Sequence, residues 1–198
     1  MCIGVSVNKE KIGNLMVYIL KHQGIVFHTQ LIKLLYLIDE TAIKDDGIPV
    51  TWLDYKAWQF GPVAPETYYI KYKESVFDSF ISLYKNDIGE NKLLLFPKVD
   101  FDDSEFSECE IEMMDEVLAK YGNMTASELV SETHKEGTLW YRTAARAGLL
   151  EAFNKHECNN SDQQINFTEA MSDCAAEDYR ESLNIRQTAN LLNAESHV

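Results

Sequence analysis

Thr29-Gln30-Leu31-Ile32-Lys33-Leu34-Leu35-Tyr36-Leu37-Ile38-Asp39 is the stretch whose reading decides the fold. Its apolar residues, Leu31, Ile32, Leu34, Leu35, Leu37 and Ile38, cover more than one face of a helix, and a helix apolar on several faces is a buried one. Thr29 suits the N-cap, and Asp45-Asp46-Gly47 with Pro49 ends the segment after Lys44. The pattern predicts a central helix on which the others pack. Lys33 inside it is either a buried ion-pair partner or a side chain that snorkels to water, and is read as a partly buried stem whose ammonium head pairs with a carboxylate.

Outward from this helix, most signals are helical. Ile12, Leu15, Met16, Ile19 and Leu20 form one stripe, with Asn8 as cap and Gly24 as stop. Ser107-x-x-Glu110 and Thr125-x-x-Glu128 are capping boxes: the hydroxyl accepts from the third-residue amide while the carboxylate reaches back. The first opens a helix with Ile111, Met114, Val117, Leu118 and Tyr121 inward, stopped by Gly122; the second ends near Thr133. Thr138 caps a third helix from Leu139 to Ala147, closed by Gly148.

Strand signals are few. Tyr55 to Phe60 is aromatic and weakly alternating, a short strand broken by Gly61-Pro62, and Pro65 starts a short helix through Tyr72. Phe80 to Tyr84 and Lys92 to Phe96 form a hairpin across residues 86–91. Asn154 to Gln164 is a polar connection, and a last helix runs from Thr168 toward Leu192. The expected fold is mainly α with a small antiparallel β element (α+β). Residues 1–153 make one compact helical domain, and 154–198 a polar connection and C-terminal helical extension.

Composition bounds the function. The 198 residues are 45% apolar and 11% aromatic, enough for a packed core. Eighteen basic against thirty-two acidic residues give a net charge of −14, a field that repels phosphate backbones and suits a basic protein partner. Asp102, Asp103, Glu105, Glu108, Glu110, Glu112, Asp115 and Glu116 fall in one run without a basic residue. Such a run is a solvated face or a surface that steers a basic partner, with Asp102, Asp103 and Glu105 at its head. Cys2, Cys109, Cys158 and Cys174 show neither CxxC spacing nor paired histidines, so no metal site is expected, nor any cofactor. With neither a signal peptide nor a membrane span in the sequence, a cytoplasmic chain with free thiols is expected.

Catalytic signatures are equally sparse. No GxGxxG, P-loop, GxSxG or HExxH occurs, so a non-enzyme is expected. His22 and His28 are read as structural or surface residues. His134, beside Thr133 and two glutamates, is either a helix-end histidine with a local hydrogen bond or a general base. Trp52, Trp58 and Trp140 are core anchors or interface residues.

Three clusters in order carry a resemblance: Lys33-Leu34-Leu35-Tyr36-Leu37-Ile38-Asp39, then Trp58-x-x-Gly61-Pro62-Val63, then Tyr121-Gly122, Thr125-Ala126-Ser127-Glu128-Leu129, Thr133-His134 and Trp140. The set, from Gly24 to Gly148, resembles the Panacea domain of SocA-like antitoxins. The resemblance implies an antitoxin that neutralises a cognate protein toxin by direct binding, often on prophages or other mobile elements. A SocA-type adaptor that delivers its toxin to a protease is also implied as an alternative, and some relatives carry a DNA-binding domain, so a transcriptional regulator stays open. Trp58, Phe60, Gly61, Pro62, Thr133, His134 and Trp140 are the expected partner-binding residues, because Gly61-Pro62 fixes a backbone corner beside aromatic side chains. Lys33, Leu34, Leu35, Tyr36 and Asp39 are the expected motif residues of the central helix.

Overall fold

Asn8 caps the first helix, α1 (Lys9–Gln23), its side-chain oxygen accepting from the Lys11 amide at 3.1 Å. The structure, a computed structural model, describes residues 7–72, 75–85 and 93–195. Ile12 to Leu20 are buried without a break, so α1 is covered on every side rather than along one stripe. Two residues of strand, β1 (Val26–Phe27), lead into α2 (His28–Asp46), the helix expected from Thr29. Its N-cap is Phe27, two residues before the expected Thr29, because Gln30 does the capping, its side-chain oxygen accepting from the Phe27 amide at 2.9 Å.

Leu31 to Asp39 of α2 are all buried, and the helix packs against α1, β1 and half of the elements that follow. Leu35 has no exposed surface. Leu35→Ala should therefore cost about 3 kcal/mol, since a rigid surround leaves a cavity; urea unfolding would measure it, and a loss under about 1 kcal/mol would deny α2 its central place.

After α2 come β2 (Lys56–Trp58) and β3 (Gly61–Val63), paired antiparallel with Ala57 opposite Pro62 and Trp58 opposite Gly61. Gly61-Pro62, expected to break the strand, is itself the second strand, and Gln59-Phe60 makes the turn. Proline fits there because Ala57 points its amide away from β3, donating to the Gln163 carbonyl at 2.9 Å. Pro62 thus sits in a pair that exchanges no backbone hydrogen bonds, where its missing N–H costs nothing. Residues 159–164 of the expected polar connection, with Ile165 after them, are stitched to the other edge of β2. Gln59 donates to Asn159 at 3.1 Å, and Ile165 to Tyr55 at 2.8 Å.

The helix expected from Pro65 to Tyr72 is split into α3 (Pro65–Tyr68) and a 3-10 turn over Tyr69–Lys71. β4 (Ile81–Lys85) and β5 (Leu93–Pro97) form the expected hairpin, one residue later than read, and β1 pairs with the far edge of β5. The connection expected at 86–91 lies outside the described residues.

Both capping boxes are present. In α4 (Glu108–Tyr121) the Ser107 amide donates to the Glu110 carboxylate at 2.9 Å; in α5 (Ala126–His134) the Thr125 amide donates to Glu128 at 2.7 Å. Gly122 keeps right-handed helical geometry, and what demands glycine there is space: a Cβ would lie 2.4 Å from the Gln23 side chain.

Beyond α6 (Leu139–Arg146) lies a helix the pattern does not anticipate, α7 (Leu149–Asn154). The expected final helix is a 3-10 turn over Phe167–Ala170 followed by α8 (Asp173–Glu195). Phe167 packs against Tyr36 and Tyr55, and Tyr179 stacks on Trp52 at 5.4 Å, so this segment joins the same buried cluster as α1 and α2. The architecture is mainly α with a three-stranded and a two-stranded antiparallel sheet.

Candidate partner-binding site

Lys33 sits in α2 with 1% of its surface exposed, and its Nζ donates to the Pro62 carbonyl at 2.8 Å. The partner is a backbone oxygen, not the carboxylate expected. The reason is the ribbon: the Pro62 carbonyl, unused by β2, is free to accept from α2. Burial without a counter-charge pushes the ammonium from its ordinary 10.5 down to about 7. Gly61 lies directly over it at φ +97, and a Cβ there would sit 2.7 Å from Thr133 Oγ1 and 3.1 Å from Lys33 Cε. Three clusters far apart in sequence are thus in contact.

His134 is the second clamp on this ribbon. Its Nδ1 lies 2.5 Å from the Val130 carbonyl and its Nε2 lies 3.0 Å from that of Gln59. A neutral imidazole has one N–H, so only the protonated ring serves both; desolvation nevertheless holds its pKa below the usual histidine value. Its ring packs edge-on against Trp140 at 3.7 Å, and Trp140 Nε1 donates to the Trp58 carbonyl at 2.9 Å. The carbonyls of Trp58 and Gln59 are therefore both held from α5 and α6, which fixes the turn that presents Phe60.

The expected partner-binding residues fall into two groups. Gly61, Pro62, Thr133 and Trp140 are buried, and His134 is half-buried among backbone carbonyls. Trp58 is half-buried and Phe60 is 58% exposed, and these two line a cavity of about 730 Å³. α2 supplies its inner wall with His28, Ile32 and Lys33; α5 contributes Ser127 and Val130. Asn159 and Asn160 close one side.

Sequence reading missed the other wall. Trp58 and Tyr68 are 4.8 Å apart, Tyr68 and Tyr69 5.8 Å, and Tyr69 and Tyr72 5.9 Å, a continuous aromatic series. Tyr69 and Tyr72 are 54% and 56% exposed. Three tyrosines within five residues after Pro65 were the available signal. His28 is structural in its contacts: Nε2 lies 3.2 Å from the Thr67 carbonyl, and desolvation pushes its pKa to about 4.

The remaining motif residues build the support. Leu34 and Leu35 are core. Tyr36 donates to Glu40 at 2.9 Å. Asp39 is wholly buried and accepts from the Thr51 amide and the Tyr55 hydroxyl, each at 2.8 Å, and from the Thr51 hydroxyl. Burial raises its pKa to about 6 against the pull of these donors.

The acidic run lies apart from the cavity and is not free of cations as expected. Lys11 pairs with Glu110 at 2.7 Å, Tyr18 donates to Asp115 at 2.6 Å, and Asn8 to Glu105 at 2.8 Å. Asp102, Asp103 and Glu105 are exposed. Trp52 is buried against Tyr179, with Arg186 stacked 4.5 Å from its ring centroid. Cys109, Cys158 and Cys174 are free, and Cys2 lies outside the described residues.

Among the described residues no helix is long and apolar enough to cross a membrane. No curated protein and no solved structure matches the chain. The family model for the antitoxin SocA-like Panacea domain matches residues 31–141, more than half of the chain. That span holds the Lys33 helix, the β2–β3 ribbon, the tyrosine series and the α5 clamp. The chain belongs to the SocA-like Panacea antitoxin-domain family.

Proposed function

We propose that the chain neutralises a protein toxin by direct binding, with the aromatic-rimmed cavity as the contact surface. One observation carries the reading: Phe60, Tyr69 and Tyr72, all within the family-matched span and each more than half exposed, line a single cavity. Large aromatics gathered on a surface are the residues that dominate interface energetics. Gly61, Pro62, Thr133, His134 and Trp140 then act beneath the contact by fixing the ribbon. Binding rather than catalysis fits the environment of His134, whose nitrogens both face backbone carbonyls.

The test is co-expression with a toxic reading frame found beside this gene. Phe60→Asp and Tyr69→Asp should each abolish growth rescue and co-purification, a loss of roughly tenfold or more in affinity per hot-spot residue, while the thermal midpoint stays unchanged. Rescue by both variants at parental level would overturn the proposal.

The exposed carboxylates are assigned to encounter rather than to affinity. Converting Asp102, Asp103 and Glu105 to their amides should slow association with the toxin at low salt and leave dissociation unchanged. Stopped-flow rates equal to the parent's would leave the run a solvated face.

A further inference from the structure

The cavity differs in charge from the rest of the molecule. A second cavity of about 550 Å³ shares His28, Phe60, Tyr68 and Ser127 with it, so the two form one groove. In a chain with thirty-two acidic residues, neither cavity has an Asp or Glu in its lining among the described residues. The groove does contain Lys33 and Lys71, and α2 begins there with His28 and Thr29, the positive end of a helix dipole. Lys71 Nζ lies 3.6 Å from the Tyr68 ring centroid, and Lys33 makes one hydrogen bond, to a backbone oxygen. Among the described residues neither lysine is paired with a carboxylate.

We infer that the groove receives an anionic segment of the protein partner: an Asp or Glu set between aromatic residues, its carboxylate matched to Lys33 and Lys71 and its rings to Trp58 and Tyr68. The inference rests on the direct-binding reading above and names the chemistry of what is bound. Each part of the groove has a use in such a complex. A carboxylate supplies the counter-charge that a buried ammonium lacks, in a desolvated place where a charge-assisted hydrogen bond is strong. Aromatic walls take apolar neighbours by stacking and edge contacts. A nucleic-acid strand fits less well, because a phosphate track needs a row of cations and the overall field of −14 opposes it.

The probes are the capped tripeptides acetyl-Phe-Asp-Phe-amide and acetyl-Phe-Asn-Phe-amide, titrated by amide-resolved NMR at mildly acidic pH. The Asp peptide should bind roughly tenfold or more tightly than its Asn isostere, with shifts at groove residues. Lys33→Met should erase that difference. Lys71→Glu, at the groove's outer part, should weaken the Asp peptide with an unchanged thermal midpoint, which keeps the test independent of any repacking around position 33. Equal binding of the two peptides, binding of neither, or tighter binding of an oligothymidylate at the same residues would overturn the inference. If the chain still co-purifies with its toxin when the peptides fail, the anionic segment is wrong and direct binding stands. If co-purification fails as well, the broader reading goes with it.

Discussion

Wild-type stability is expected to rise by about 1.4 kcal/mol per pH unit above about pH 7, and Lys33→Met to flatten that rise. The sign follows from Lys33 itself. Its folded pKa is depressed from 10.5 to about 7, so the fold favours the neutral amine. Its contribution is fully present above the ordinary lysine value and is lost as pH falls through about 7. Between these values the unfolded chain holds a proton the folded chain has released, and stability climbs with pH. From about pH 7 to about pH 9 the gain amounts to roughly 2 kcal/mol, because the slope reaches its full value only once the folded amine is mostly neutral. His28, pushed to about 4, and Asp39, raised to about 6, titrate below this window, so Lys33 dominates it. Methionine has similar length and no charge to desolvate. It leaves the Pro62 carbonyl without its donor, a loss of about 1–3 kcal/mol, so the variant should still be roughly 2 kcal/mol more stable at neutral pH. Denaturant unfolding at several pH values measures both quantities. A wild-type profile as flat as the variant's would show that a counter-ion keeps Lys33 charged in the fold.

A residue that destabilises the fold at neutral pH invites a functional explanation, and Lys33 lies in the candidate groove. Asp39 offers a contrast, because it too is fully buried in α2. It collects three hydrogen bonds from Thr51 and Tyr55 and thereby ties the 50–55 segment to the helix. Asp39 is satisfied inside the protein; Lys33 has a single backbone acceptor. The difference is the one expected between a structural buried charge and one whose partner arrives from outside.

What the sequence made legible was local. Asn8, Ser107, Thr125 and Thr138 cap their helices because a capping hydrogen bond spans only two or three residues and is written in residue types. The central position of α2 was legible from its many-sided apolar content. The β2–β3 ribbon was not, because its turn is Gln59-Phe60, which lacks the glycine or asparagine of a favoured hairpin loop. Its stability comes from donors distant in sequence, Trp140 on Trp58 and residues 159–165 on β2. Such long-range pairing leaves no periodic trace. The partner of Lys33 was misread for the same reason: a backbone carbonyl has no side-chain identity to find. Tyr69 and Tyr72 escaped notice because a 3-10 turn, not a continuous α-helix, sets their direction.

Gly61→Val is expected to lower stability by up to about 6 kcal/mol, from two independent sources. The backbone at Gly61 has φ +97, a conformation that costs any residue with a Cβ about 1–3 kcal/mol and a β-branched one the most. The side chain would also have no room, with Thr133 Oγ1 at 2.7 Å and the Lys33 terminus at 3.1 and 3.2 Å. Overpacking of this kind adds about 1–3 kcal/mol. Thr133 cannot simply turn aside, since its hydroxyl donates to the Val130 carbonyl at 3.0 Å within α5. Relief must come from β3 lifting off α2 and α5, which would pull the Pro62 carbonyl from Lys33 and the Gln59 carbonyl from His134 together. The turn carrying Phe60 would then lose the restraints that aim it over the cavity. Gly61→Ala separates the two terms, because it keeps the strain and the contact at Cβ but omits the branching, and it should fall between parent and Val variant in unfolding midpoint and, under the proposed function, in toxin neutralisation. An alanine variant as stable as the parent would show that β3 moves freely at this corner, and that α5 does not hold the ribbon in place.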